Sequence, residues 1–181
     1  GLVKINLDEF ERNNIVPHVR LTQIDLMESY IDYNALNDSI SLSKPYHLIN
    51  SEKDISSIQP GELVSYYNYP KTLILPYDIN TVSFKFSAMD GIQSSSMRYR
   101  YKLEGRDKRF NSETSNTETK YDNLSYGTYT FVVQARVQNG KWGKETKYTF
   151  TINPPFWHTW WFRILSAILI IGIITSVFRI R

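Results

Sequence analysis

The chain has 181 residues, 41% of them hydrophobic, 14% aromatic and 22% charged, with no Cys, seven Pro and eight Gly. That describes a globular protein with room for one domain, or one plus a small appendage, and it excludes a disulfide-stapled mini-protein, a thiolate metal site, collagen and a low-complexity chain. The net charge of +3 invites a nucleic-acid reading, but Arg163, Arg179 and Arg181 all lie in the last nineteen residues. Removing these three leaves 18 basic side chains against 18 acidic ones, so only the tail is basic and we expect no nucleic-acid partner.

In chain order, residues 1–16 hold one strand-like run, Leu2 to Leu7, and an acidic loop, Asp8-Glu9-Phe10-Glu11, too little to fold alone. A first strand is predicted from Val19 to Leu26. Residues 28–70 then break the pattern: the stretch is rich in Ser, Asn and Asp, carries Tyr30, Tyr33, Tyr46, Tyr66, Tyr67 and Tyr69, and turns at Pro60-Gly61. A structureless loop of that length is uncommon in a compact domain, so it reads as an excursion with short strands of its own, for example Glu62 to Tyr67.

From residue 71 onward, alternation with a period of two dominates. After a short strand at Thr72 to Leu75, Val82, Phe84, Phe86 and Ala88 form one apolar set, and Met97, Tyr99, Tyr101 and Leu103 the next. A weaker strand covers Thr119 to Leu124. Tyr129, Phe131, Val133, Ala135 and Val137 make a further set, and Thr146, Tyr148, Phe150 and Ile152 the last. Asn139-Gly140 between these two is a strong hairpin signal, so they should pair directly. No helix-length amphipathic pattern interrupts the strands. About seven short strands separated by turn signals predict an all-β, immunoglobulin/fibronectin-like antiparallel sandwich over residues 17–153. Leu124-Ser125-Tyr126-Gly127-Thr128-Tyr129 places a Tyr at a strand start after a tight turn, as in a tyrosine corner, with its ring inside and its hydroxyl on backbone.

Pro154-Pro155, whose fixed φ limits bending, opens a joint at 154–159 with Phe156 and Trp157. From Trp160 to Phe178 the chain reads WWFRILSAILIIGIITSVF, nineteen residues with one charge, Arg163, in the first turn. As a helix this is about 28 Å long, close to a ~30 Å hydrocarbon core, and its apolar residues outweigh an Arg near one end. A transmembrane helix is therefore expected at 160–178, with Trp157, Trp160 and Trp161 as an aromatic belt and membrane lipid as a partner. Arg179 and Arg181 put the stub 179–181 in the cytoplasm and everything before Pro154 outside it. Gly172 and Ser176 form a small-xxx-small pair that would let two helices approach in a homodimer.

The blocks LPYDINTVSFKFSAMD (75–90), YRYKLEGRDKRF (99–110), YDNLSYGTYTFVVQA (121–135), NGKWG (139–143) and PPFWHTWWF (154–162) resemble the three-tyrosine (Y_Y_Y) domain of extracytoplasmic sensor regions in hybrid two-component systems of Bacteroidetes-type bacteria. The resemblance covers about half of the chain. It implies an upstream β-propeller sensor, whose last blade residues 1–26 would leave, and a downstream histidine kinase. It also implies a relay role for this piece at the inner membrane, with its bulk in the periplasm. By position, the family's tyrosines would be Tyr101, Tyr121 and Tyr129; Phe110 replaces a Trp common after the LEG block. The chain begins on Gly and stops just past the apolar run, so a fragment of a longer receptor is expected.

No H-E-x-x-H, G-x-S-x-G, P-loop or G-x-G-x-x-G arrangement is present, and His18, His47 and His158 are far apart. The acids Asp8, Glu9, Glu11, Glu52 and Asp54 read as solvated loop residues. We therefore expect no enzyme, cofactor or metal in this segment. Arg98, Arg100, Lys102, Arg106, Lys108 and Arg109 read as a solvated face. The alternative function is a membrane-tethered glycan-binding or adhesive module that uses the tyrosines of the excursion.

Overall fold

The structure, a computed structural model, describes residues 16–42, 47, 55, 58–88, 97–137 and 140–180. Its strands are β1 (Val19–Leu26), β2 (Gln59–Pro60), β3 (Leu73–Leu75), β4 (Val82–Ala88), β5 (Met97–Glu104), β6 (Glu118–Tyr121), β7 (Gly127–Val137) and β8 (Thr146–Ile152). Two helices, α1 (Tyr33–Ser41) and α2 (Trp160–Ile180), and a 3-10 turn at Phe156–His158 complete the described elements. The expected Leu2–Leu7 run, Tyr46 and residues 138–139 of the predicted hairpin lie outside the described residues.

The strands form a two-sheet sandwich, one sheet ordered β1-β4-β6 and the other β2-β3-β8-β7-β5. Alternation along each strand decides which side chains meet between the sheets. Phe84 of β4 stacks on Phe131 of β7 at 4.2 Å between centroids, with planes 3° apart. Tyr121, Tyr148 and Phe150 approach the Phe84 ring at 6.3, 6.3 and 5.8 Å. Phe86 meets Tyr99 at 5.3 Å and Tyr101 at 5.9 Å beside this cluster. The rings thus join the two sheets through one aromatic core.

β7 and β8 pair antiparallel from Gly127↔Ile152 to Val133↔Thr146, as the hairpin signal predicts. Inside the β2 edge of the second sheet, β3 runs parallel to β8, and Asn153 N–H adds a 2.8 Å bond to the Leu75 carbonyl beyond the last strand pair. The β5 edge is covered: Tyr99 exchanges backbone bonds with Thr114, and Tyr101 N–H donates to the Asn111 carboxamide. That leaves little bare backbone there for unwanted strand addition.

In β1 the observed bounds equal the predicted ones, but a register shift falls between Leu21 and Gln23. Val19 and Leu21 point inward before it, and Ile24 and Leu26 after it. Gln23 and Asp25 are consequently on the other face, yet still buried. They are satisfied there, because Gln23 donates to Asp25 and to the Ile31 carbonyl, and Lys85 reaches Asp25 at 2.7 Å.

The excursion differs from its prediction in two ways. It contains a helix, α1, where no helical pattern was expected. Asp32 caps it by accepting from the N–H groups of Asn34 and Ala35, and Tyr33 and Leu36 are its buried face. Ser, Asn and Asp are poor interior helix formers, so burial rather than propensity holds these nine residues. The expected strand at Glu62 to Tyr67 is instead a tight loop: Val64 N–H bonds the Tyr69 carbonyl, Tyr67 N–H bonds the Val64 carbonyl, and Tyr66 sits at φ +67°. The strand lies just before it, at β2, paired with β3. Ile31, Tyr33, Leu36, Ile55 and Ile58 of the excursion belong to the main core.

Candidate functional site

Two places in the fold gather the residues singled out by sequence. The first is the tyrosine cluster. Tyr101 on β5, Tyr121 on β6 and Tyr129 on β7 all contact the aromatic core. Tyr101 lies 6.1 Å and Tyr121 6.3 Å from Phe131, and Tyr129 stacks at 5.6 Å on Phe150. Two of the three hydroxyls are used locally. Tyr129 donates at 2.9 Å to the Ser125 carbonyl, four residues back, which is the expected corner. Tyr121 donates at 3.1 Å to Asp107, whose same oxygen accepts from Leu103 N–H at 2.8 Å. One carboxylate therefore ties the turn after β5 to the end of β6.

Gly105 of the LEG block has φ +100°, and a Cβ there would meet the Tyr129 ring at 2.9 Å. Both the backbone conformation and the close ring require Gly. The Phe110 ring supports Arg100 at 4.6 Å and Lys102 at 5.1 Å, and Arg100 also lies over Trp142 of the NGKWG block at 4.2 Å. Arg136, paired to both oxygens of Glu113, also lies over Trp142 at 4.9 Å. Part of the basic strip thus lies over aromatic rings rather than being simply solvated, and Phe110 supplies a face without needing an indole N–H.

Removing the corner hydroxyl with Tyr129→Phe should destabilise the sandwich by about 1 kcal/mol, because Ser125 is exposed and water can replace the lost donor. A denaturant midpoint unchanged from the parent chain would refute that role. Burial, then the Asp107 charge, pushes the Tyr121 phenol far above its ordinary value, and burial, then Tyr69, does the same for Tyr148. In the unfolded chain both would ionise near pH ~10. Above that pH the folded state binds more protons than the unfolded state, so stability must fall as pH rises. Two tyrosines should therefore stay silent at 295 nm until alkaline unfolding exposes them; their titration in a still-folded chain would contradict the burial argument.

The second place is the joint. Pro155 is buried while Pro154 is exposed. Trp157 meets Tyr77, in the turn before β4, edge-on at 4.9 Å, and His158 meets Tyr126, in the turn before β7, at 5.3 Å. Phe156 packs edge-on against Trp157 and Phe162. The 3-10 turn closes with His158 N–H on the Pro155 carbonyl at 2.9 Å, and Arg163 N–H reaches the Thr159 carbonyl at 3.4 Å as α2 begins. Tyr77 and Tyr126 had no signal in the sequence, since both sit in turns where periodicity says nothing.

α2 has 21 residues and no polar face. Trp160, Trp161, Ile164, Leu165, Ile168, Leu169, Ile170, Ile171, Ile173 and Ile174 are all exposed on it. Arg163 lies in its first turn and Arg179 in its last; Arg181 is outside the described residues. Among the described residues, no helix is by itself long and apolar enough to cross a membrane. The excursion tyrosines are dispersed in environment: Tyr33 is fully buried, Tyr69 packs against the core, and Tyr30 and Tyr66 are exposed.

Fold and site together define a β-sandwich module with an aromatic core whose last strand leads directly into an apolar helix. Residues 91–153 match the profile of the Y_Y_Y domain. Histidine kinase P4 of Formosa agariphila is 28% identical over 171 residues, which covers 94% of this chain and 11% of that protein. The crystal structure of the extracellular domain of a hybrid two-component system of B. thetaiotaomicron, BT3049, has the same fold, with a TM-score of 0.56 and 20% identity. That match covers 82% of this chain and 17% of the other. The extracellular domain of BT4673 from the same organism matches with a TM-score of 0.53 and 20% identity, over 78% of this chain and 16% of that one. The chain thus spans about a tenth of its curated relative and about a sixth of each solved structure.

Proposed function

We propose that this chain is the membrane-proximal extracytoplasmic module of a two-component sensor, relaying movement of an upstream ligand-sensing domain to a transmembrane helix and a histidine kinase beyond it. The observation that carries this reading is the docked joint. Between the last strand residue, Ile152, and the first residue of α2, Trp160, there is no free linker. Asn153 is bonded to Leu75, Trp157 is held by Tyr77 and His158 by Tyr126. A rotation of the sandwich would be passed to α2 rather than absorbed.

In this reading residues 1–16 are the end of an upstream β-propeller or a linker, 17–153 are the immunoglobulin-like sandwich, and 154–159 the joint. Residues 160–178 are the span, and 179–181 emerge in the cytoplasm. Supporting the span are the all-round apolar surface of α2, the rings of Trp157, Trp160 and Trp161 at its start, and the basic residues at its end. A soluble helix of this composition would be expected to bury one face against the body. The named relatives, two extracellular domains of bacterial sensor systems and a histidine kinase, support the same placement. Signalling further requires a ligand that favours one arrangement by differential binding energy, and a homodimer through Gly172 and Ser176 would supply two such arrangements. The test is replacement of Pro154-Pro155 by Gly-Ser in the complete receptor: ligand affinity should survive and kinase output should not.

A further inference from the structure

The strand registers place one set of turns at the end of the sandwich from which α2 leaves. β1 and β6 end where β4 begins, at Leu26↔Val82 and Val82↔Tyr121; β7 begins where β8 ends, at Gly127↔Ile152; and β5 ends at Glu104, opposite Thr130. The turn after β5, Gly105 to Arg109, therefore shares this end with Tyr77, Tyr126 and the joint. Here an open cleft of about 560 Å³ lies between that turn and β6. Tyr101 and Tyr121 line it, with Arg106, Lys108, Arg109 and Lys120 around them.

Its charges are unequally answered. Asp107 is occupied by Leu103 N–H and the Tyr121 hydroxyl, and Lys120 is paired with Glu28 and Asp122. Arg106 lies over the Tyr121 ring at 5.6 Å, and its guanidinium donates to the Asp122 carbonyl and has no ion-pair partner among the described residues. Lys108 and Arg109 are exposed and have no ion-pair partner among the described residues. Arg106, Lys108 and Arg109 thus outnumber Asp107, the carboxylate that lines the same cleft, and are exposed at the end of the domain that carries the exposed rings of Tyr77, Tyr126, Trp157 and Trp160. Aromatic rings with interleaved cations are the chemistry of a phospholipid headgroup layer.

We propose that this cleft holds the phosphate of an anionic phospholipid headgroup, so that the sandwich itself sits on the bilayer and not only its helix. Arg106, Lys108 and Arg109 contact the phosphate, and Tyr77 and Tyr126 reach the interfacial layer beside the Trp belt. The inference rests on α2 being a span. The full chain is to be placed in nanodiscs of phosphatidylcholine alone and of phosphatidylcholine with phosphatidylglycerol, and amide hydrogen exchange followed over residues 105–111 and over α2. With phosphatidylglycerol, exchange at 105–111 should slow by roughly fivefold for each engaged cation, and the paired substitution Lys108→Gln/Arg109→Gln should remove most of that slowing. α2 should stay protected in every disc. Protection of α2 with identical exchange at 105–111 in both discs would overturn the headgroup site and leave the span standing. Unprotected α2 would overturn both. Equal slowing by millimolar inorganic phosphate in phosphatidylcholine discs would make the cleft a soluble-anion site and overturn the lipid assignment.

Discussion

Phe131→Ala is expected to cost about 3–5 kcal/mol of sandwich stability. The ring is 1% exposed and stacked on Phe84, and it lies within 6.3 Å of Phe86, Tyr101 and Tyr121. Truncation removes the transfer free energy of the ring, leaves a cavity that two sheets cannot both close upon, and breaks a stacked pair worth about 0.5–1.5 kcal/mol on its own. Against a total of ~5–15 kcal/mol, this approaches the limit of foldability. Denaturant unfolding of the chain in neutral detergent gives the measurement, with Tyr126→Ala as the control, since that half-exposed ring should cost under about 1 kcal/mol. Similar midpoints for the two variants would remove Phe131 from the centre of the core.

Uncoupling at the joint should be the largest functional effect. Gly-Ser in place of Pro154-Pro155 frees two φ angles that the pyrrolidine rings fix, yet it leaves the Asn153–Leu75 bond and the α2 sequence intact. Ala-Ala is the informative comparison, because it restores less freedom than Gly while removing the same rings. Kinase output on ligand addition should fall in the order Pro-Pro, Ala-Ala, Gly-Ser, reaching background in the last, with ligand affinity constant across the three. Tyr77→Ala would release Trp157 without touching the chain's stiffness and should give an intermediate loss. Full output from the Gly-Ser receptor would show that backbone stiffness at 154–155 does not carry the signal.

How much of this could be read before the fold was known depends on which physical rule placed each residue. Alternating apolar positions fixed β4, β5, β7 and β8 to within two residues, because a strand with one buried face leaves no other choice of register. The bulge in β1 was invisible, since Gln23 and Asp25 look solvent-facing until Ile31 and Lys85 are known to cover them. α1 was missed because its nine residues show only Tyr33, Leu36 and Ile40 in helical phase, and Asp32 resembles any loop Asp until its cap bonds are seen. The tyrosine corner was legible from local spacing alone, while Asp107, which ties Tyr121 to the β5 turn, depended on contacts fourteen residues apart. The joint was half legible: its prolines and tryptophans are contiguous, but the rings that clamp it, Tyr77 and Tyr126, come from turns some thirty to eighty positions earlier.

The position of β8 has a mechanical consequence. It is flanked by β3 on one side and β7 on the other, and Thr146 at its start bonds the Val19 carbonyl, where β1 begins. A tug between Val19 and Ile152 would load β8 lengthwise, so that its ladders on both flanks bear the force together in shear instead of peeling one rung at a time. The strand that feeds the helix is therefore the one best placed to act as a stiff rod.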